Sequence, residues 1–121
     1  MSFDMFDVIV VPFPFTDKTT SKRRPALVLS DKLNFNQKVG QSVLAMITSA
    51  QNSDWPLDIE ITNLDSAGLP SASIVRMKLF TLDDQLIIRK AGSLASNDQK
   101  QVVKALQSLF KLKIPATSLP K

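Results

Sequence analysis

The 121-residue sequence contains no cysteine and no histidine. The first absence removes disulfides and thiolate chemistry. The second removes the commonest metal ligand and the side chain that most often serves as a general base near neutral pH. Together they exclude a Ser-His-Asp triad, a cysteine nucleophile and a zinc site of ordinary type. Only three glycines occur, none clustered, so neither a P-loop nor a dinucleotide fingerprint can be assembled. No apolar run approaches the length that spans a bilayer. The opening MSFDMFDVIVVPF is acidic where a signal peptide would be basic. The expectation is a cytoplasmic protein that uses no cofactor, no metal and no membrane.

What is present reads as one globular domain: 44% of residues are hydrophobic and 21% charged. We expect the domain over residues 1–114 and a loose tail over 115–121. The net charge is +4, unevenly placed. Lys18, Lys22, Arg23, Arg24, Lys32 and Lys38 face only Asp31 within residues 18–38, giving that segment +5 and the remainder −1. A single basic turn is usually just solvated. A charge excess this concentrated attracts polyanions.

Short strand signals recur along the chain. Val8–Val11 is β-branched and is followed by Pro12 and Pro14, so PFPFT is expected to leave the sheet as an extended edge. Pro25–Leu29, with proline at its first position, Ser42–Thr48, the alternating Asp58–Thr62, Ser73–Phe80 and Gln85–Arg89 complete six strands. Asp83-Asp84 reads as a turn. After Ser96-Asn-Asp-Gln99, spaced as a capping box, the period changes. Val102, Val103, Leu106, Leu109 and Phe110 then mark one helical face, with Lys111 and Lys113 near its end and Pro115 to stop it. The fold class is therefore mainly β: a small barrel or half-barrel with a C-terminal helix.

The remaining polar chemistry is that of Arg, Lys, Ser and Thr, which suits a phosphate. In RNA the 2′-hydroxyl lies beside the phosphodiester, so the substrate supplies the nucleophile. A protein need only align it and stabilise charge at phosphorus. Composition permits a metal-independent ribonuclease without establishing one.

DVIVVPFPFTD, KRRPALVLSD, AMITSAQ and SASIVRMKLFTLDD, taken in order over about residues 6 to 112, resemble the MazF/PemK (Kid) toxins of type II toxin–antitoxin pairs. The resemblance implies an SH3-like barrel, a homodimer, and metal-independent cleavage of single-stranded RNA. It also implies a cognate antitoxin whose acidic, disordered C-terminal segment folds onto the RNA-binding groove. The family's catalytic arginine, just before the proline of the second strand, matches Arg24, and its catalytic threonine matches Thr48. Gln51 matches a polar position just after it. Two departures stand out: Phe6 replaces a usual glycine, and Lys78 replaces the aspartate that in some members follows an arginine, here Arg76, by two residues.

Arg24 is accordingly expected to stabilise transition-state charge and Thr48 to position the scissile phosphate. Lys22, Arg23, Gln51, Arg76 and Lys78 are the RNA-binding candidates, the last two sharing a strand face at spacing two. Phe13 and Phe15 suit base stacking, core packing or dimer packing, and Trp55 suits a groove rim. The competing reading is a non-catalytic barrel binding nucleic acid or protein. It includes a degenerate toxin, or a gyrase poison of the CcdB type, although the aromatic C-terminal signature of the latter is not evident in SLPK.

Overall fold

The computed structural model describes residues 2–13, 22–52 and 54–112. The expectations for Phe15, the polar loop to Ser21, Lys113, Pro115 and the 115–121 tail fall outside these residues. Six strands are formed among the described residues: β1 (Asp7–Phe13), β2 (Lys22–Val28), β3 (Gln41–Ser49), β4 (Ile59–Glu60), β5 (Ser73–Asp83) and β6 (Arg89–Ser93). They make one sheet in the order β4-β5-β3-β2-β1-β6, with every pairing antiparallel. Helices α1 (Gln37–Val39) and α2 (Leu64–Ala67) are short, and α3 (Ser96–Phe110) is the long C-terminal helix. The architecture is a mainly β half-barrel capped by that helix.

Both faces of the central strands are covered, which explains why Val8–Val11 is continuously apolar rather than alternating. Val8, Leu27, Ala45, Ile47 and Val75 point into one core, where Val102 and Ala105 of α3 pack. Ile9, Val11, Ala26, Val28, Leu44 and Leu82 point into a second core closed by Phe3, Leu86 and Ile87. This second face matters most, because its far end is not apolar.

Several local expectations change. Lys22–Arg24 is not a turn: β2 starts at Lys22, and Pro25 lies mid-strand opposite Val10. Proline is tolerated there because pairing with β3 begins only at Ala26, so one side of the strand is open. Pro12 likewise stays within β1, opposite Arg23, and since β1 pairs with β6 only as far as Val10, its other side is open, as expected of an edge. The sixth strand is Arg89–Ser93, not Gln85–Arg89. Asp83 accepts from the Gln85 amide (2.8 Å) and starts a 3-10 turn over Asp84–Leu86. Buried Asp84 pins that turn by accepting from Ser42 Oγ (2.6 Å) and Ser2 Oγ (3.0 Å).

At α3 the reciprocal Ser96/Gln99 box does not form. Ala95 is the N-cap, and Gln99 Nε2 donates to the Leu94 carbonyl (2.8 Å). Lys111, left-handed at φ 54°, ends the helix by donating back to Gln107 and Ser108. Of the expected apolar face, Val102 is buried and Leu106 half-buried, while Val103, Leu109 and Phe110 are exposed. Phe6 sits at φ 73°, a left-handed conformation that normally favours glycine. It is retained between two chain segments: its amide donates to Val28 O (2.8 Å) and its carbonyl accepts from Leu94 N (3.0 Å).

Candidate nucleic-acid interface

Strand alternation distributes the basic run over two faces. Arg24 shares a face with Ala26 and Val28, the residues of the second core. Opposite Arg24 lies Val11, and two residues further along β1 the Phe13 ring meets the guanidinium, with Cζ 5.0 Å from the ring centroid. Arg24 Nε is buried and has no hydrogen-bond partner among the described residues. Arg23 has the opposite parity on the strand and borders a cavity of about 260 Å³ that Arg24, Val10, Pro25, Leu69 and Arg89 also line. Lys22 is exposed at the start of the strand.

The β2–β3 pairing runs Val28–Leu44, Leu27–Ala45 and Ala26–Met46, then stops. The same register carried two residues further aligns Arg24 with Thr48. The ladder between the two strands ends at Ala26–Met46, so Arg24 and Thr48 lie beyond its last pair. Thr48 is half-buried, pairs with Ile74, and its Oγ1 accepts from Asn52 Nδ2 (3.3 Å). Gln51 is exposed in the 3-10 turn Ala50–Asn52, its amide donating to Ser49 Oγ (3.3 Å).

Arg76, opposite Met46, completes this end of the face. Its guanidinium is already engaged: Nη2 and Nε donate to Asp58 Oδ2 and Oδ1 (3.0 and 3.3 Å), and Nη2 also donates to the Asn52 carbonyl. It lies over the Trp55 ring, 5.3 Å from the centroid. Lys78 does not continue the pattern set by Arg76. β5 inserts Met77 and Lys78 between the pairs Met46–Arg76 and Ala45–Leu79, and Lys78 is exposed within that irregularity.

The family model for PemK-like, MazF-like toxins of type II toxin–antitoxin systems matches residues 4–110. The chain belongs to that toxin family. Solved structures agree on the fold. The MazE–MazF complex (Form-II) from Deinococcus radiodurans superposes with a TM-score of 0.71 at 19% identity, covering 93% of this chain and 99% of that one. A mycobacterial endoribonuclease in complex with its cognate antitoxin gives 0.73 at 14% identity, covering 94% and 100%. The Mycobacterium tuberculosis toxin MazF-mt6 gives 0.70 at 17%, covering 89% and 99%. No curated protein sequence matches significantly.

Within this MazF-like toxin, two site residues escape sequence reasoning: Asn52 and Asp58. Asn52 is one of several polar residues in a loop, and nothing in its spacing ties it to Thr48. Asp58 reads as the first residue of an alternating strand, yet β4 is only Ile59–Glu60. Its carboxylate occupies the side of Arg76 from a different element than Lys78, so the arginine has an aspartate partner despite the replacement at 78. Among the described residues no cluster of potential metal-ligating side chains is formed. No helix there is long and apolar enough to cross a membrane.

Proposed function

We propose that this toxin is a metal-independent endoribonuclease of single-stranded RNA. The observation that carries the reading is the alignment of Arg24 with Thr48 where β2 leaves β3, with Arg24 Nε lacking a hydrogen-bond partner among the described residues. The 2′-hydroxyl of the substrate attacks the adjacent phosphorus. A bond from O2′ to phosphorus forms, the bond to O5′ breaks, and the products are a 2′,3′-cyclic phosphate and a 5′-hydroxyl. Arg24, permanently protonated, meets the charge that builds on the equatorial oxygens. Thr48 Oγ1, held by Asn52, positions the phosphate. Arg76 is assigned to holding the loop that carries Asn52, and Lys22, Arg23, Gln51 and Lys78 to contacts with flanking RNA.

The partner we infer is an antitoxin with an acidic segment that binds over the same residues, as the antitoxin complexes among the related structures suggest. Such a segment competes with RNA for Lys22 and Arg24, and its affinity falls with salt. A homodimer in the cytoplasm fits the same reading.

The test is a cleavage assay on an oligonucleotide carrying one deoxyribose at the mapped cleavage position, alongside variants. The deoxy-substituted strand should bind and remain uncut, and chelation should leave turnover of normal RNA unchanged. Arg24→Ala should lower single-turnover cleavage by about 10²-fold or more, the scale of a lost oxyanion-stabilising donor. Its affinity for RNA should fall only modestly. Thr48→Val should resemble it. Arg23→Ala, on the opposite face, should weaken binding and spare cleavage at saturation. Normal cleavage by folded Arg24→Ala and Thr48→Val proteins would leave a binding barrel instead of an enzyme.

A further inference from the structure

Trp55 is the one tryptophan of the chain, and it is both anchored and exposed. Its ring lies against the Arg76 guanidinium, which Asp58 and the Asn52 carbonyl hold in place. Its own backbone is tied to Asp58 twice: the Trp55 amide donates to Asp58 Oδ2 (3.3 Å), and the Asp58 amide donates to the Trp55 carbonyl (3.4 Å). Yet the residue remains 44% exposed, with Leu57 38% exposed nearby in sequence. A tryptophan whose only role is packing normally loses most of its surface to neighbours. Here one side is fixed by a cation and much of the remainder meets water.

The position of this ring is specific. Asn52, whose carbonyl accepts from Arg76, also donates from Nδ2 to Thr48 Oγ1. The network that anchors the tryptophan therefore reaches the residue assigned to the scissile phosphate. We propose that Trp55 is a base-stacking platform for a nucleotide flanking that phosphate. Arg76 serves as its rigid backing rather than as a phosphate contact. The ligand class is an unpaired RNA base, since every base offers a π-face to an aromatic ring and a duplex does not. The inference rests on the ribonuclease reading and adds a binding subsite to it.

The probe is a fluorophore-labelled RNA that the protein has been shown to cut, made uncleavable by one deoxyribose at the cleavage position. Binding is followed by anisotropy of the label and, independently, by the emission of Trp55. Tryptophan emission should change along the same isotherm as the anisotropy. Trp55→Leu should weaken binding roughly 5- to 150-fold, the range for losing one base–aromatic stack, and Trp55→Phe should retain most of the affinity. Single abasic substitutions along the RNA should reveal one position whose loss weakens the native protein but has no further effect on Trp55→Leu. That position dependence separates stacking from a general loosening of the loop. If the uncleavable probe binds and its all-ribose counterpart is cut while emission is constant, or if no abasic position couples to residue 55, the platform is refuted and the ribonuclease stands. If no RNA is bound or cut by the native protein, the ribonuclease reading fails and the platform with it.

Discussion

Asp58→Ala should unlatch the loop that carries Asn52 and Trp55, and its cost follows from burial. The Arg76 and Asp58 side chains are 13% and 9% exposed, and two donors of one guanidinium reach two oxygens of one carboxylate. An exposed pair contributes about 0–1 kcal/mol. Breaking a buried pair from one side costs about 3–5 kcal/mol, because the survivor is left charged and unpaired. At roughly a tenth exposed, Arg76 retains some access to water and keeps its Asn52 contact, so about 2 kcal/mol is expected. With an unfolding entropy near 2.1 cal/mol/K per residue, that lowers Tm by about 8 °C. Arg76→Met should cost a similar amount. The double variant should cost less than the sum by at least about 1 kcal/mol, because the second removal leaves no orphaned charge. Urea denaturation of the four proteins gives the coupling, and single-turnover cleavage gives the functional consequence of releasing Asn52 from Arg76. Additivity within about 0.5 kcal/mol would refute the latch, since residues that do not interact behave that way.

Three further outcomes are expected. Asp98, 1% exposed, accepts from Thr62 N, Thr62 Oγ1 and Asn63 N, so Asp98→Ala should lower stability in urea by about 2–4 kcal/mol; under 1 kcal/mol would mean that water replaces it freely. At Phe6 the usual order of residues should invert: Phe6→Gly should be more stable than Phe6→Ala by about 1 kcal/mol in the same assay, because alanine keeps the left-handed strain while losing the ring. The Lys32 and Met5 amides that Asp4 accepts hold its pKa below the ordinary 3.8. Its contribution is thus present above that value and lost as pH falls through the lower folded value. Asp4→Asn should reduce Tm near neutrality, and the difference from the native protein should close on acidification.

The element order was readable because it rests on short-range chemistry. β-branched runs, a change of period after Gln99 and punctuation by proline and glycine are all local. The errors arose where distant contacts outweighed local pattern. Leu86-Ile-Ile88 resembles a strand by composition, but Asp84 is tied to Ser42, more than forty positions away, and the chain turns before it pairs. Ser96 and Gln99 have capping-box spacing, yet Asp98 reaches across to the Thr62 and Asn63 amides, and the helix starts without the box. The placement of Pro25 inside a strand is acceptable only because β3 does not bond that stretch, a fact of sheet register.

By itself the sequence determined what chemistry was excluded and which residue types remained to meet a phosphate. Missing side chains are missing in every conformation. It also determined that three cations are adjacent along the chain. Only the tertiary structure decided that they lie in a strand rather than a turn, and so alternate between its two faces. Strand alternation sets Arg24 on the face of Ala26 and Val28, against the Phe13 ring, and Arg23 on the other parity, while both border the cavity that Arg89 lines. Only the tertiary structure, too, supplied Arg76 with Asp58 in place of an aspartate at position 78, because a partner eighteen residues away is chosen by how the β3–β4 loop folds back. A strand fixes the direction of each side chain locally, but which strand or loop lies opposite is a long-range property that no single stretch of residues encodes.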